Sequence, residues 1–588
     1  MSTGHESASA ADLKRRKPEM YNRAAGSAQI IDPADREEIG LLELRKTDGR
    51  PVPSSALHAS HVAEEHDGGG TATGISDMSA RDKGAMLLLV ALYTLQGIPI
   101  GLAFGTMPYL LKAHMSYADI GLFMLCTYPY SLKLLWSPIV DSIYVGEWRV
   151  PGTSVVLSLG RRKSWIVPIQ MAIGCVLLFL ARHAQDIVEA PKVYSVTALF
   201  FSLIFLAATQ DIAVDGWALT LLSRPNLGYA STAQTVGINI GYFMSFTVFL
   251  ALNSVEFGNK YLRAVPRDYP VLSLGAYLQM CGVAFLAFTT WLLFFRREGE
   301  DAVPDGEMDL RQAYAVMGRI MGLRHVRLLL LVHLIAKFGF QANEAVTGLK
   351  LVEHGLGKED LAFAVLIDFP FQIVFGYLAA MWSRGDRALR PWIVASVARL
   401  VLALGGMALV HGMPVPPAKI STSYFGLIVL STVFNSFAST VQFVGITAFH
   451  TQVADPVIGG TYMTLLNTLS NLGGTWPRYF VFKMVDYFTI SQCQPPADVS
   501  QEHVSEIFGR ANATLPLGEC TSDAGKAQCA AAGGHCVVFR DGYYWTNTIC
   551  VAIGVVSLVL VILPIARHLE RVPPRAWRVS LTNKPSAH

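Results

Sequence analysis

AATQDIAVDGWALTLL, residues 207–222, lies within a membrane-length apolar run and carries two carboxylates near its middle. Asp211 and Asp215 are four residues apart, so they share one face of a helix. A charged side chain at bilayer depth costs about 3 kcal/mol or more, so it normally faces a protein interior or a water-filled path. Two carboxylates on one face, beside Gln210 and Trp217, predict a helix that borders a polar interior instead of lipid.

The composition is that of a polytopic membrane protein. Of the 588 residues, 52% are hydrophobic and 15% are charged, whereas a soluble globular chain has about 25% charged residues. The net charge of +3 is too small to indicate nucleic acid as a partner. Residues 1–80 are polar and lack any apolar periodicity, so we expect a disordered cytosolic N-terminal tail there.

Apolar runs of about 20 residues predict membrane-spanning helices in a lipid bilayer. We predict twelve such helices, over residues 84–111, 118–143, 164–184, 194–222, 228–253, 272–295, 327–352, 359–382, 391–411, 422–450, 457–484 and 542–567. They form an all-α fold of two six-helix bundles, an arrangement typical of transporters with pseudo-symmetric halves. Helices one, four, seven and ten would line the central cavity. The predicted parts are bundles 81–295 and 327–567, a cytosolic linker 296–326 and a cytosolic C-terminal tail 568–588.

The distribution of basic residues predicts the orientation in the membrane. If the N-terminus is cytosolic, the cytosolic loops hold more Lys and Arg than the loops opposite, among them Arg161, Arg162 and Lys163. Twelve spans bring both termini to the cytosolic side. Loop 485–541 is then extracytosolic.

That loop contains four cysteines, Cys493, Cys520, Cys529 and Cys536, together with a glycosylation sequon at Asn512. In a non-cytosolic loop we expect two disulfides, for which three connectivities are open. A zinc site is the alternative, but the spacing lacks a CxxC pair. The loop therefore predicts an oxidising lumen or the cell exterior on this side.

Asp141 and the basic run GRRK at 160–163 resemble the signature of the loop between spans two and three in the major facilitator superfamily. In that signature the acidic residue bonds a neighbouring helix end and the basic cluster stays cytosolic. The superfamily's fourth-span arginine is absent here, since Asp211 and Asp215 occupy that span. We expect these acidic and basic residues to have gating or structural roles, and we do not assume proton coupling through that arginine.

Longer blocks narrow this resemblance, and they occur in order along the chain: LQGIPIGL (95–102), SLKLLWSPIVD (131–141), GRRKSW (160–165), AATQDIAVDGWALTLLSR (207–224), AVTGLKLVEHG (345–355), DPVIGGTYMTLLNTLSNLGGTWP (455–477) and DGYYW (541–545). Together they resemble the acetyl-coenzyme A transporter family (solute carrier family 33) of the endoplasmic reticulum membrane. The resemblance implies a major-facilitator-type fold and import of acetyl-CoA from cytosol to lumen for acetylation there. We expect alternating access, exchange for CoA, and either a monomer or a homodimer.

Acetyl-CoA carries phosphates, an adenine and a pantetheine arm, so its site needs cations, aromatic faces and amide or hydroxyl donors. Residues of these types within the predicted spans are the expected substrate contacts: Lys133, Lys337, Lys350, Trp136, Trp217, Gln210, Tyr462, Asn467, Asn471 and Trp476.

Each charged group also has a structural alternative. Lys133 lies at the depth of Asp211 and Asp215 and would then form an ion pair or gate with them. Glu344 lies seven residues after Lys337, on the same helical face, and would pair with it. A further expectation is a structural role for Arg399 in the ninth span, together with Asp368.

Other functions remain open. A permease of the same fold for a muropeptide or a nucleotide-linked metabolite is one; a muropeptide would need fewer cavity cations. A membrane-bound acetyltransferase is another, but His333 and His450 show no nucleophile or base partner in the sequence. His114 and Asp119 have the H-x4-D spacing of an acyltransferase motif without its accompanying blocks. No Walker A, HExxH or Rossmann pattern is found, so we expect a transporter without cofactor or metal, not an enzyme.

Overall fold

The computed structural model describes residues 78–112, 114–149, 156–189, 191–223, 226, 229–296, 298, 310–383, 389–414, 420–454, 459–494, 520, 527, 529–531 and 533–579. The chain divides into two units, 1–72 and 73–588, and every structural statement below concerns the second unit. Nearly all of the predicted N-terminal tail and the sequon at Asn512 lie outside the described residues.

The first half contains six membrane helices, of which α2 is the most interrupted. They are α1 (Ala80–Ile100, continued by a π-helical turn Gly101–Thr106 and by Met107–Leu111), α2 (short segments Tyr117–Phe123, Met124–Thr127, Tyr128–Leu132, Lys133–Leu135 and Ser137–Ser142), α3 (Gly160–Arg182), α4 (Val193–Leu221), α5 (Tyr229–Phe243, continued by Met244–Val248 and Phe249–Asn253) and α6 (Leu274–Phe295). A hairpin of β1 (Glu147–Arg149) and β2 (Val156–Ser158) joins α2 to α3, and short helices Ala184–Glu189, Val255–Phe257 and Gly258–Leu262 lie in later loops.

The second half follows a connector helix, Leu310–Gly322. Its membrane helices are α7 (Arg324–Ala336, a 3₁₀ turn Phe338–Phe340 and Gln341–Glu353), α8 (Lys358–Trp382), α9 (Leu389–His411), α10 (Thr422–Val453), α11 (Gly459–Phe488) and α12 (Gly542–Ser557, continued by Leu558–Ile562 and Leu563–Leu569). Strands β3 (Ile490–Gln494) and β4 (His535–Arg540) pair antiparallel between α11 and α12, and a 3₁₀ turn Pro574–Trp577 follows α12.

Each of the twelve predicted spans coincides with one of these helices, so the all-α prediction is confirmed. Nine of the described helices are long and apolar enough to cross a membrane: α1, α3, α4, α5, α6, α7, α9, α10 and α12. Helix α2 is broken because Pro129 and Pro138 begin new segments. Helix α11 is unusually polar, with Thr, Asn and Ser repeated along its length.

Close contacts at glycine residues bring neighbouring helices together near the centre of the molecule. A methyl group on Gly473 of α11 would clash with the carbonyl oxygen of His333 of α7. A methyl group on Gly97 of α1 would clash with the Ile238 carbonyl oxygen of α5. Small residues at such crossings let helix backbones approach closely. The polar face of α11 therefore packs against α7, and a cavity lies beside this contact.

Candidate functional site

A cavity of about 310 Å³ lies between the two halves of the molecule. Its walls come from α1 and α2 of the first half and from α7, α9, α10 and α11 of the second half. The prediction that α1, α7 and α10 line the cavity is therefore correct. Contrary to the prediction for α4, none of the described lining residues comes from that helix, which packs against α2.

Three cations and one carboxylate line this cavity: Lys337 and Glu344 of α7, Arg399 of α9 and Arg478 of α11. The Arg399 guanidinium pairs with Glu344 through Nη2 and donates to the Gln442 Oε1 through Nη1. One cation is thus neutralised by a carboxylate. The cavity keeps an excess of positive charge.

The expected pairing of Glu344 with Lys337 is wrong. Both side chains line the cavity, but the Glu344 carboxylate pairs with Arg399 of α9 instead. The expected link of Arg399 to Asp368 is wrong as well, since Asp368 accepts hydrogen bonds from Gln372 and Ser436.

Of the three cavity cations, Lys337 and Arg478 have no carboxylate partner in the described chain. Arg478 lies over the Phe104 ring, 5.4 Å from its centroid. With its amide oxygen turned toward α11, Gln341 accepts a hydrogen bond from the Arg478 Nε at 3.2 Å. The Lys337 side chain lies against Gly474, where an added methyl group would approach its Cδ to 3.1 Å. Two cations from facing helices therefore form a site suited to an anion.

Of the predicted contacts on α11, Asn471 lines the cavity and Asn467 does not. The Asn467 Oδ1 is instead 2.9 Å from the Nδ1 of His450. One turn beyond Asn471, the Thr475 hydroxyl is 2.7 Å from the Ser131 hydroxyl of α2. This hydrogen bond joins the two halves at the cavity wall.

Lys133 lies outside the cavity lining and pairs with Asp211, with Asp215 at 3.9 Å. Asp211 also accepts from the Gln96 Nε2 at 2.5 Å. Asp215 accepts from the Tyr93 hydroxyl at 2.7 Å and from a second glutamine, Gln234, at 2.8 Å. Lys133 is thus neutralised within a network that joins α1, α2, α4 and α5, which favours the ion-pair alternative, and its role as a substrate contact stays a prediction.

The three predicted tryptophans do not line the cavity either. Trp217 is 1% exposed and lies in an apolar cluster of the first half. The Trp136 indole donates to the Thr209 hydroxyl at 3.1 Å, and the Trp476 indole donates to the Leu334 carbonyl at 2.8 Å. Buried indole N–H groups need an acceptor, and these two find one on a neighbouring helix. Adenine stacking on these tryptophans stays a prediction.

Gln210 and Tyr462 are both fully buried between helices. The Gln210 Nε2 lies 3.5 Å from the Leu92 carbonyl oxygen, and the Tyr462 hydroxyl donates to the Trp577 carbonyl at 3.1 Å. Neither side chain is part of the cavity lining, and their assignment as substrate contacts stays a prediction. Both link a helix to its neighbour.

Lys350 lies at the end of the molecule that carries β3, β4 and the cysteines, which we call the disulfide end. Its ammonium is 2.7 Å from Asp541 and 3.2 Å from Glu353, so Lys350 is an ion-paired residue outside the cavity. Two disulfides close this end, Cys493–Cys529 and Cys520–Cys536. The predicted disulfides are confirmed and one of the three connectivities is selected. The clustering of three of these sulfurs follows from the disulfides.

The two halves are joined at the disulfide end by polar contacts. Asp486, near the end of α11, accepts hydrogen bonds from the backbone N–H groups of Tyr117 at 3.2 Å and Ala118 at 2.7 Å, at the start of α2. The Tyr117 hydroxyl donates to Glu353 at the end of α7 at 2.5 Å. The cavity is therefore closed toward this end by contacts that must break if the halves separate.

At the opposite end, which we call the basic end, the predicted structural charges hold the ends of α2, α3 and α6 together. The Arg162 Nη1 lies 2.6 Å from the Asp141 Oδ1, and Arg161 donates to the Asp141 backbone carbonyl at 2.5 Å. Glu298 accepts from the backbone N–H groups of Arg162 and Lys163. Lys163 donates to the last carbonyl groups of α6. All of these contacts lie within the first half and the segment that follows α6.

The sequence profile of the family described as acetyl-coenzyme A transporter 1 matches residues 85–305, 300–388 and 384–579. The chain belongs to this family. An uncharacterized membrane protein of Saccharomyces cerevisiae is 39% identical over 577 residues, covering 85% of this chain and 98% of that protein. An uncharacterized protein of Schizosaccharomyces pombe is 36% identical over 523 residues, covering 89% and 94%.

The fold of this acetyl-coenzyme A transporter 1 family member is that of the major facilitator superfamily. A crystal structure of a bacterial homologue of the human lysosomal transporter Spinster, inward-facing and unoccupied, is similar with a TM-score of 0.54 at 14% identity. The match covers 84% of this chain and all of that one. The protein is a multi-pass membrane transporter.

Two basic residues that line the transporter's cavity were not predicted from the sequence to do so. Arg478 follows Pro477 inside an apolar run, and a charge at that depth is itself the signal that would have identified it. Arg399 was assigned a structural role and lies on the cavity wall. The aromatic side chains that do line the cavity include Tyr130 of α2 and Trp392 of α9.

Proposed function

We propose that the protein carries acetyl-CoA from the cytosol into the lumen of the endoplasmic reticulum, by alternating access and in exchange for CoA. One observation carries this proposal. Lys337 and Arg478 face one cavity between the halves, and in the described chain neither has a carboxylate partner. Unpaired cations at this depth are costly, and a polyanionic cargo would neutralise them.

The chemistry of this pair fits the phosphates of CoA. A guanidinium offers a planar fork that holds two phosphate oxygens, whereas an ammonium acts as a point charge. Arg478 and Lys337 therefore supply both kinds of contact. Arg399 supplies a third cation, which a phosphate would gain if Glu344 moved away. Attraction between charges is stronger in a partly enclosed cavity than in water.

The other cavity side chains fit the remaining parts of the cargo. Tyr130 and Trp392 line the cavity with aromatic rings, which suits a flat adenine. Asn471 and Gln442 line it with amides, which suits the amide groups of the pantetheine arm. Because these contacts involve parts that acetyl-CoA and CoA share, the same site would bind both, and exchange follows.

The direction of transport rests on the orientation. Disulfides persist in oxidising compartments, so the disulfide end fits the lumen. The Lys and Arg bias fits the cytosol at the basic end. With the halves joined at the disulfide end, the described conformation fits a transporter ready to receive cargo from the cytosol. Luminal acetyl-CoA would then supply acetylation in that compartment.

Other cargoes are distinguished by their charge. A nucleotide-linked metabolite with a diphosphate would also satisfy Lys337 and Arg478. A muropeptide without phosphates would leave both cations unneutralised, so the cavity favours a phosphate-bearing cargo.

Uptake by purified protein in liposomes tests the proposal. We expect labelled acetyl-CoA to enter, faster into liposomes preloaded with CoA than into empty ones, with partial competition by ADP and none by a muropeptide. Lys483→Gln on α11 is the matched control, since Lys483 is exposed and bonds Tyr479 outside the cavity. Entry of the muropeptide without entry of acetyl-CoA would overturn the proposal.

A further inference from the structure

Two histidines form a buried hydrogen-bonded pair beside the cavity. The Nε2 atoms of His333 on α7 and His450 on α10 are 2.9 Å apart. The two residues are 3% and 0% exposed, and His333 is part of the cavity lining. The Nδ1 of His450 is 2.9 Å from the Asn467 Oδ1 of α11. The pair therefore joins three helices of the second half at the wall of the cargo cavity.

The hydrogen bonds determine where protons sit in the neutral pair. An amide oxygen accepts only, so the His450 Nδ1 carries the proton that it donates to Asn467. The His450 Nε2 then has a lone pair and accepts from the Nε2–H of His333. In this arrangement the Nδ1 of His333 is the unprotonated nitrogen of the pair.

The pair has room for one additional proton. Adding it at the Nδ1 of His333 leaves both hydrogen bonds intact, and the bond to His450 becomes charge-assisted and stronger. A second proton, at the His450 Nε2, would place two N–H groups head to head and break the pair. The geometry therefore allows a change of one proton without unfolding the contact.

The charged groups around the pair oppose that proton when the cavity is empty. From α7, Lys337 lies one turn beyond His333 and acts electrostatically on both rings. From α9 and α11, Arg399 and Arg478 line the same cavity. The carboxylate of the lining, Glu344, is held by Arg399. In the described chain, α10 has no charged residue beside His450, and α12 contributes no residue to the cavity lining.

A phosphate bound at Lys337 and Arg478 would offset the positive charge that these two residues place near the pair. We propose that the His333–His450 pair is a proton-binding site linked to the anion site, so that one proton is taken up as phosphate-bearing cargo binds. This inference rests on the proposed function, because it needs an anion at Lys337. By thermodynamic reciprocity, protonation of the pair tightens cargo binding by the same factor. The transporter would thereby carry a proton with its cargo.

Calorimetric titration of the purified full-length protein near pH 6.5, close to the ordinary histidine pKa, tests this linkage. Binding heats are measured in buffers of different ionisation enthalpy, which gives the number of protons taken up for each ligand bound. Dephospho-CoA is the first probe, because its diphosphate diester does not titrate near neutrality and any proton must come to the protein. We expect an uptake approaching one proton in the wild type.

Variants and a second probe complete the test. His333→Gln and His450→Gln should bind with no proton uptake, whereas His183→Gln, an exposed histidine at the end of α3, should behave as wild type. With acetyl-CoA, the difference between wild type and His333→Gln cancels the titration of the ligand's own 3′-phosphate. Wild-type binding without a buffer-dependent heat would overturn the proton site alone. Failure of every CoA species to bind would overturn the proposed function and this inference with it.

Discussion

Replacing Arg478 by glutamine separates a cargo-binding role from a structural one. The guanidinium lies over Phe104, lines the cavity and has no carboxylate partner in the described chain. A hydrogen bond to a charged group contributes about 1.5–3 kcal/mol, and about 1.4 kcal/mol corresponds to tenfold in affinity. Because the side chain is only partly buried, we take the lower half of that range and expect the KM for acetyl-CoA to rise about 10- to 40-fold.

The same substitution should not destabilise the unliganded protein. An unpaired cation near Lys337 is repelled by it, so its removal relieves repulsion and should leave the thermal unfolding midpoint unchanged or higher. Uptake into liposomes and unfolding in detergent measure the two effects, with Lys483→Gln on the same helix as control. A fall in the unfolding midpoint with an unchanged KM would refute the reasoning, since it would make Arg478 a structural residue.

Two further predictions concern the charges outside the cavity. Lys133→Met leaves Asp211, whose side chain is 0% exposed, without its cation, so we expect the free energy of unfolding to fall by about 3–5 kcal/mol. The double variant Lys133→Met with Asp211→Asn should recover most of this loss. A double variant no more stable than Lys133→Met would contradict the ion-pair role. Asp486→Asn weakens the hydrogen bonds to the start of α2 and should open the cavity toward the disulfide end. A cysteine introduced at Ser439 in a cysteine-depleted background should then react about tenfold faster with an impermeant thiol reagent added from that end. Unchanged reactivity would show that Asp486 does not help to close the cavity.

Much of the fold follows from the sequence because bilayer thickness constrains the length of apolar runs. All twelve predicted spans coincide with helices, and the four cysteines of loop 485–541 form two disulfides. The connectivity did not follow, since it depends on how β3 and β4 pair. The breaks in α2 at Pro129 and Pro138 were also not predicted, because apolar content alone does not distinguish a continuous helix from a segmented one.

The cavity was harder to predict than the fold. Lys337 and Asn471 were correctly expected to line it, because each is a polar side chain on a helix near the molecular centre. Glu344 pairs with Arg399 of α9, and residue spacing within α7 does not reveal a partner on another helix. An indole that satisfies a carbonyl on the next helix, as Trp476 does, looks the same in sequence as one that faces a ligand.

The central claim is that the phosphates of CoA are bound between the two halves by Lys337 and Arg478. Electron cryomicroscopy of the purified protein with saturating CoA tests it most directly. We predict phosphate density within hydrogen-bonding distance of the Arg478 guanidinium and the Lys337 ammonium, with Lys133 still paired to Asp211. Phosphate density at Lys133 or Lys350, with the cavity around Arg478 empty, would contradict the account.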